Sequence, residues 1–213
     1  MRREDPVQDG LFDEPEHQVR DPVARVVLLC GPSGSGKTSL TRRIGLPVLA
    51  LDDFYRDGDD VGLPRRFGIV DWDDPASWDG AAALQTLVDL CCAGQAHVPV
   101  YDIPTSSRSG TALLDTGGSP LFIAEGIFAA QLVAACRRLG VMADALCLRQ
   151  PPMVTFWRRL ARDLSESRKP PMTLVRRGVS LMRAEPDLVA RWAALGCRPV
   201  STAEAHDAVR DLL

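Results

Sequence analysis

Apolar residues in this chain fall into two kinds of run. Four are short and unbroken: ARVVLLC (24–30), PVLALDD (47–53), SPLFIAEG (119–126) and DALCLR (144–149). Such continuous aliphatic and β-branched runs read as strands buried on both faces, as in a parallel sheet. The other runs mix apolar and polar positions at helical spacing, over 37–44, DGAAALQTLVDLCC (79–92), 128–139, 171–183, 186–195 and 202–212. Pro151 and Pro152 open a further helix, rich in arginine, that reaches about Ser167. HVPVYD (97–102) reads as an edge strand, because Pro99 has no N–H to give a central ladder, and CRPV (197–200) as a short strand. The stretches 54–79 and 103–119 carry glycine, proline and small polar residues without a period, and read as loops.

Strands alternating with helices predict an α/β domain with a doubly wound parallel sheet flanked by helices; the pattern leaves strand order open. Residues 1–22 hold charges and three prolines ahead of the first apolar run. They read as a polar N-terminal arm on a single domain, 23–213.

Between the first predicted strand and the first helix stands GPSGSGKTS (31–39), which satisfies GxxxxGK[ST] at Gly31, Gly36, Lys37 and Thr38. Placed after a buried strand and ahead of a helix, it is a P-loop of the P-loop NTPase fold. Its glycines, including Gly34, let successive backbone N–H groups face phosphate oxygens, and Ser33, Ser35 and Ser39 complete the nucleotide-binding loop. Lys37 reaches the β- and γ-phosphates, and Thr38 offers its hydroxyl to Mg2+. Glu125 ends the apolar strand 119–125 in the manner of a Walker B acid, a second magnesium ligand. No NKxD base-reading motif of a GTPase and no LSGGQ-type signature is present, which leaves a small NTP-dependent kinase or an unusual ATPase.

Six segments then resemble, in order, the uridine kinase and phosphoribulokinase-type P-loop kinases, most closely uridine kinases. They are GPSGSGKTS (31–39), LDDFYRD (51–57), DWDDPASWD (71–79), VPVYDIPTSSR (98–108), FIAEGIFA (122–129) and RRLARDLSES (158–167). The resemblance implies an ATP-dependent kinase that phosphorylates a hydroxyl of a small molecule, a pyrimidine nucleoside first. It implies Asp52 as catalytic base lying near the metal, with Asp53 in support. It implies Asp73 on the sugar hydroxyls, Trp72 and Tyr101 around the base, and Arg108 as the arginine closing the motif. It implies, too, that Arg159 and Arg162, one turn apart with Arg158 beside them, belong to a small Arg-rich helical lid (about 151–170) that closes over ATP. Uridine kinases are often oligomers, so self-association is implied too. The chain departs from the family at Ser106, where a histidine is usual, at Ile103, where an aromatic is usual, and after Ser167. A kinase for a pentose, pantothenate or another small alcohol therefore stays open, as does a non-catalytic nucleotide-binding regulator.

Composition narrows the partners. Of 213 residues 46% are hydrophobic and 25% charged, and the net charge of −3 gives no basic field to gather nucleic acid. No apolar run is long enough to span a membrane and no signal peptide is visible, so the cytoplasm is expected. The six cysteines show no metal spacing and read as small reduced core residues, and the three histidines are scattered. Asp79 is expected to cap the helix that follows it.

Overall fold

The computed structural model describes residues 18–66, 68–165 and 171–213, with backbone alone at 66, 159, 162–165 and 171–181. Its centre is β1 (Arg25–Cys30), in which every residue after Arg25 is buried. Val26, Leu28 and Cys30 point into a larger core on one face of the sheet, and Val27 and Leu29 into a smaller one on the other. Burial on both faces is why this segment is an unbroken apolar run.

The chain passes from β1 to α1 (Lys37–Ile44) and β2 (Val48–Ala50), then through a long connection holding a small hairpin, β3 (Arg65–Arg66) and β4 (Ile69–Val70). Next come α2 (Gly80–Ala93), β5 (Gln95–Asp102), β6 (Ser107–Asp115), β7 (Leu121–Glu125) and α3 (Val133–Leu139). The remainder is β8 (Met142–Leu148), α4 (Pro152–Ser165), α5 (Pro171–Ala194), β9 (Arg198–Val200) and α6 (Thr202–Arg210). The main sheet has the order β2-β7-β1-β8-β9 and all its pairs are parallel. Residues of α2, α3 and the end of α5 fill the larger core, and residues of α1 and α6 the smaller, so helices cover both faces as expected. Asp79 does cap α2, its carboxylate accepting Ala82 N–H at 3.0 Å.

Besides the β3–β4 hairpin inside the expected 54–79 loop and a β5 that starts at Gln95 instead of 97, the structure differs from the sequence expectations at four places. The run 47–53 is a strand only to Ala50; Leu51–Phe54 forms a turn of 3₁₀ helix. Leu51 and Phe54 are both buried there, a spacing of three that suits this helix, and Trp78 Nε1 donates to Leu51 O at 2.8 Å to hold the turn. The 103–119 stretch contains β6, which pairs antiparallel with β5 as a separate two-stranded sheet. Most of β6 is exposed, so it lacks the alternation by which a strand is recognised. The two helical segments 171–183 and 186–195 are one helix, with Pro186 inside it. Pro186 lies on an exposed face, while Leu188, Val189 and Trp192 hold the following turns to the core. Fourth, β8 begins at Met142, ahead of the expected 144.

Residues 1–17 of the expected arm and 166–170 of the expected lid, with Ser167, lie outside the described residues. Among the described residues, no helix is long and apolar enough to cross a membrane.

Candidate active site

The P-loop leaves the carboxyl end of β1 and enters α1 through Gly36, whose φ of 96° favours a residue without Cβ. No acidic side chain occupies the first turn of α1, so the helix's own residues leave the partial positive charge of its N-terminus in place. Lys37 Nζ folds back to donate to Gly31 O at 2.7 Å. Ser35 is fully buried and its hydroxyl has no hydrogen-bond partner among the described residues. Gly34 (φ 85°) continues the loop, Ser33 and Ser39 are exposed on it, and Thr38 Oγ1 donates to Glu125 Oε1 at 3.4 Å.

The sheet register explains why Thr38, Glu125 and Asp52 meet. In the parallel ladder Glu125 pairs with Leu29 on one side and Ala50 on the other. The carboxyl ends of β1, β7 and β2 are therefore adjacent, and each is followed at once by a functional segment. Gly126 allows the closest approach. A Cβ built there would stand 2.8 Å from Leu51 Cβ and 3.0 Å from Asp52 Oδ1, so only glycine lets the Asp52 turn lie against the end of β7. The sequence reading passed over Gly126; the EG pair ending an apolar strand was the available signal.

Asp52 is open to solvent by surface area yet densely surrounded by protein, as a residue on the wall of a concavity is. That crowding pushes its carboxyl above the ordinary aspartate range, against the opposing pull of Lys37 and of the Ile127 N–H. Burial also raises Glu125, opposed by Lys37 and Thr38 and reinforced by Asp52. A lysine and two raised carboxyls thus lie together at the carboxyl end of the sheet. Asp53 turns the other way, and its Oδ1 accepts the Tyr101 N–H at 3.3 Å.

Beyond Asp52 the wall becomes aromatic. Tyr55 is its hub, with Trp72 edge-on at 5.5 Å, Tyr101 at 5.9 Å and Phe128 at 6.0 Å between ring centroids. The Tyr55 hydroxyl donates to Trp72 O at 3.2 Å, and that of Tyr101 to Arg56 O at 3.2 Å. Burial, with the charges of Asp52 and Asp73 next, pushes the Tyr55 phenol upward. Tyr55 is therefore near both carboxylates that the sequence singled out, although the sequence reading gave it no role. It follows Asp52 by three residues, and one 3₁₀ turn brings it to the same side. Asp73 itself is exposed.

Arg108 is committed elsewhere. Its guanidinium meets the helix-capping Asp79 at 3.3 Å and its N–H donates to Asp57 Oδ1 at 2.7 Å, which ties the β5–β6 hairpin to the start of α2 and to the 56–58 loop. Ser106 holds a left-handed backbone (φ 52°) at the hairpin tip, with its carbonyl accepting Gly58 N–H at 2.7 Å. Ile103, at the same tip, is 64% exposed.

The side chains of Arg159 and Arg162 lie outside the described residues. Arg158 is described, and its Nη1 stands 3.5 Å from where a Cβ on Gly36 would be. That puts a guanidinium over the P-loop from the neighbour of the arginines expected there.

The donor set suits magnesium. Among the described residues no three His, Cys, Asp or Glu side chains cluster as an all-protein cage would require. One hydroxyl and one or two carboxylates beside a phosphate-binding loop are the hard, sparse ligands with which Mg2+ is commonly held.

A uridine kinase of Deinococcus deserti is 30% identical to this chain over 167 residues, 74% of the chain and 77% of that protein. A uridine kinase of Staphylococcus aureus is 27% identical over 166 residues, with the same coverage. Among solved structures, a Silicibacter protein provisionally named a fructose transport system kinase superposes with a TM-score of 0.56 at 21% identity, over 90% of this chain and 92% of that one. That superposition speaks for the fold. No family model matches the chain.

Proposed function

This chain belongs to the uridine kinase family of ATP-dependent phosphotransferases, and we propose that it carries the γ-phosphate of ATP to the 5′-hydroxyl of a pyrimidine nucleoside. The observation that carries the reading is the position of Asp52, between the Lys37–Thr38–Glu125 group on one side and the Tyr55–Trp72–Tyr101 wall on the other. A base for the acceptor hydroxyl belongs at that boundary.

In the proposed mechanism, backbone N–H groups of 31–39 cradle the phosphates at the start of α1, and the Lys37 ammonium balances charge on the transferring group. Thr38, Glu125 and Asp52 are the residues that would hold Mg2+, which when bound supplies charge neutralisation on the phosphate oxygens. Asp52 accepts the proton of the attacking hydroxyl, a task suited to a carboxyl whose surroundings raise its affinity for a proton. Asp73 accepts hydrogen bonds from the sugar, and Trp72 with Tyr55 and Tyr101 offers ring faces and edges to the base. Arg158, with Arg159 and Arg162 on the same helix, adds positive charge from above the loop. The described cysteines are all free thiols, five of the six buried, which fits a reducing cytoplasm.

A second reading, a smaller alcohol as acceptor, draws on the hairpin tip. Ile103 points no ring at the site and Ser106 cannot donate as an imidazole does, so two groups that would discriminate a pyrimidine are replaced.

An acceptor panel read by ADP release with ATP and magnesium separates the two. Uridine and cytidine are expected to accept phosphate in preference to purine nucleosides, pentoses and pantothenate. ATP binding without transfer to any nucleoside overturns the nucleoside reading, and transfer to none of the panel overturns the kinase reading.

A further inference from the structure

The chemistry above leaves one buried carboxylate without a task. Glu185, on α5, is 4% exposed, and a carboxylate kept from water is costly unless it is bonded. Its Oε2 accepts the hydroxyl of Thr155 on α4 at 2.7 Å, a proton shared with Pro152 O of the same helix at 2.8 Å, and Thr155 is itself fully buried. The contact joins two helices of different standing. Glu185 shares a face of α5 with Val189 and Trp192, at i+4 and i+7, and both of those pack into the larger core. That part of α5 is therefore a fixed post. Thr155 sits one turn before Arg158 on α4, and Arg158 Nη1 is the atom poised 3.5 Å from a Cβ on Gly36. A neighbour of Arg158, Trp157, is 60% exposed, so α4 is not held by burial around its whole circumference.

We propose that the Thr155–Glu185 hydrogen bond sets the rotation of α4 on α5 so that Arg158 stands over the P-loop and meets the phosphates of bound nucleotide. Thr155 and Glu185 are positioning residues; the group they position is the Arg158 guanidinium. Helix rotation is the sensitive variable, because Thr155 and Arg158 lie at i and i+3 on one face and turn together. An apolar pair would pack α4 on α5 equally well, and swaps of buried polar pairs for apolar ones are often neutral or stabilising. The polar pair adds a directional contact that apolar packing lacks.

The inference rests on the nucleotide-binding half of the proposed function, and its test needs no acceptor. Affinity for a non-hydrolysable ATP analogue with magnesium is measured by calorimetry, alongside thermal melting. Thr155→Val is expected to weaken binding about fivefold and, because it strands the Glu185 carboxylate, to lower the melting temperature; the apolar pair Thr155→Val with Glu185→Leu is expected to show the same loss of affinity with the melting temperature unchanged or raised, while Thr155→Ser and Glu185→Gln keep both. Arg158→Ala weakens binding more, and adding Thr155→Val to Arg158→Ala produces no further loss of affinity. An equal loss in the two backgrounds, or no loss in Thr155→Val, overturns the proposal. A wild-type protein that binds the analogue but phosphorylates no acceptor sinks the kinase reading and leaves this cycle intact.

Discussion

The two halves of the candidate site are built on different principles. The donor half sits at the carboxyl ends of β1, β7 and β2, whose in-register ladder brings Lys37, Thr38, Glu125 and Asp52 together. Fully buried side chains on both faces of β1 fix that ladder. The acceptor half consists of the 51–54 turn, the loop before α2 and the β5–β6 hairpin, held by aromatic edges and by surface contacts such as Arg108 to Asp79. An exposed ion pair of this kind contributes at most about 1 kcal/mol. On the proposed reading, the fold itself specifies the phosphate chemistry, whereas acceptor choice falls to segments that can change without disturbing the sheet.

Asp52 stands where the halves meet, so its loss is expected to have the largest effect. Asp52→Asn should lower kcat about a thousandfold while ATP affinity stays within a few-fold, since base catalysis contributes on the order of 10² to 10⁴. Steady-state kinetics with a binding titration decide it; parallel loss of ATP affinity would make Asp52 chiefly a nucleotide ligand. The pH profile follows from the same environment. Burial raises the Asp52 and Glu125 carboxyls, so each holds its proton to a higher pH than a free carboxylate does. The base is inactive when protonated, and the acid limb of kcat/KM is thus expected above the ordinary aspartate value of about 3.9. A profile flat down to that value would contradict it.

The boundary can also be disturbed from the donor side. Gly126→Ala places a methyl group 2.8 Å from Leu51 Cβ and 3.0 Å from Asp52 Oδ1, with the Asp52 backbone N at 3.6 Å, so the turn itself must shift to make room. Displacing the turn by a fraction of an ångström should lower kcat about a hundredfold in a protein that still folds. Gly45→Ala is the control. It strains a left-handed position (φ 76°) with nothing within 4 Å of the new methyl, so it should lower stability by about 1 kcal/mol and leave kcat alone. Equal kinetic effects at the two glycines would remove the claim that Gly126 matters through Asp52.

How far the sequence could be read follows the same division. The P-loop and the strand ending in Glu125 were legible because a doubly buried strand is an unbroken apolar run and a phosphate loop needs glycines at set intervals. The hairpin was half legible: β5 showed through its apolar positions, and β6 did not, because it is exposed along most of its length. Tyr55 was missed although it was in plain view in LDDFYRD. Its importance depends on a 3₁₀ turn replacing the end of a strand, and that turn depends on Trp78 Nε1 reaching Leu51 O from 27 positions away. Arg108 carries the opposite lesson: residue type and order marked it, and only tertiary geometry reveals its partners Asp79 and Asp57. Nor does periodicity choose among Arg158, Arg159 and Arg162, because which arginine faces the P-loop depends on how α4 is rotated on α5.

The smallest of these effects tests the acceptor half alone. Trp72 packs edge-on against Tyr55 at 5.5 Å, and its backbone carbonyl, not its ring, receives the Tyr55 hydroxyl. Truncating the ring should therefore spare the loop's backbone contact while removing one aromatic surface. Stacking on a base contributes about 1–3 kcal/mol, and the lower part of that range corresponds to a tenfold change. Trp72→Ala is expected to raise KM for the nucleoside about tenfold with KM for ATP unchanged, and Trp72→Phe to recover most of it. Two-substrate kinetics and a melting curve distinguish this from a packing role. A lower melting temperature with KM values unchanged would make Trp72 a loop anchor, and a rise in both KM values would mean that the two halves are not separable as the geometry indicates.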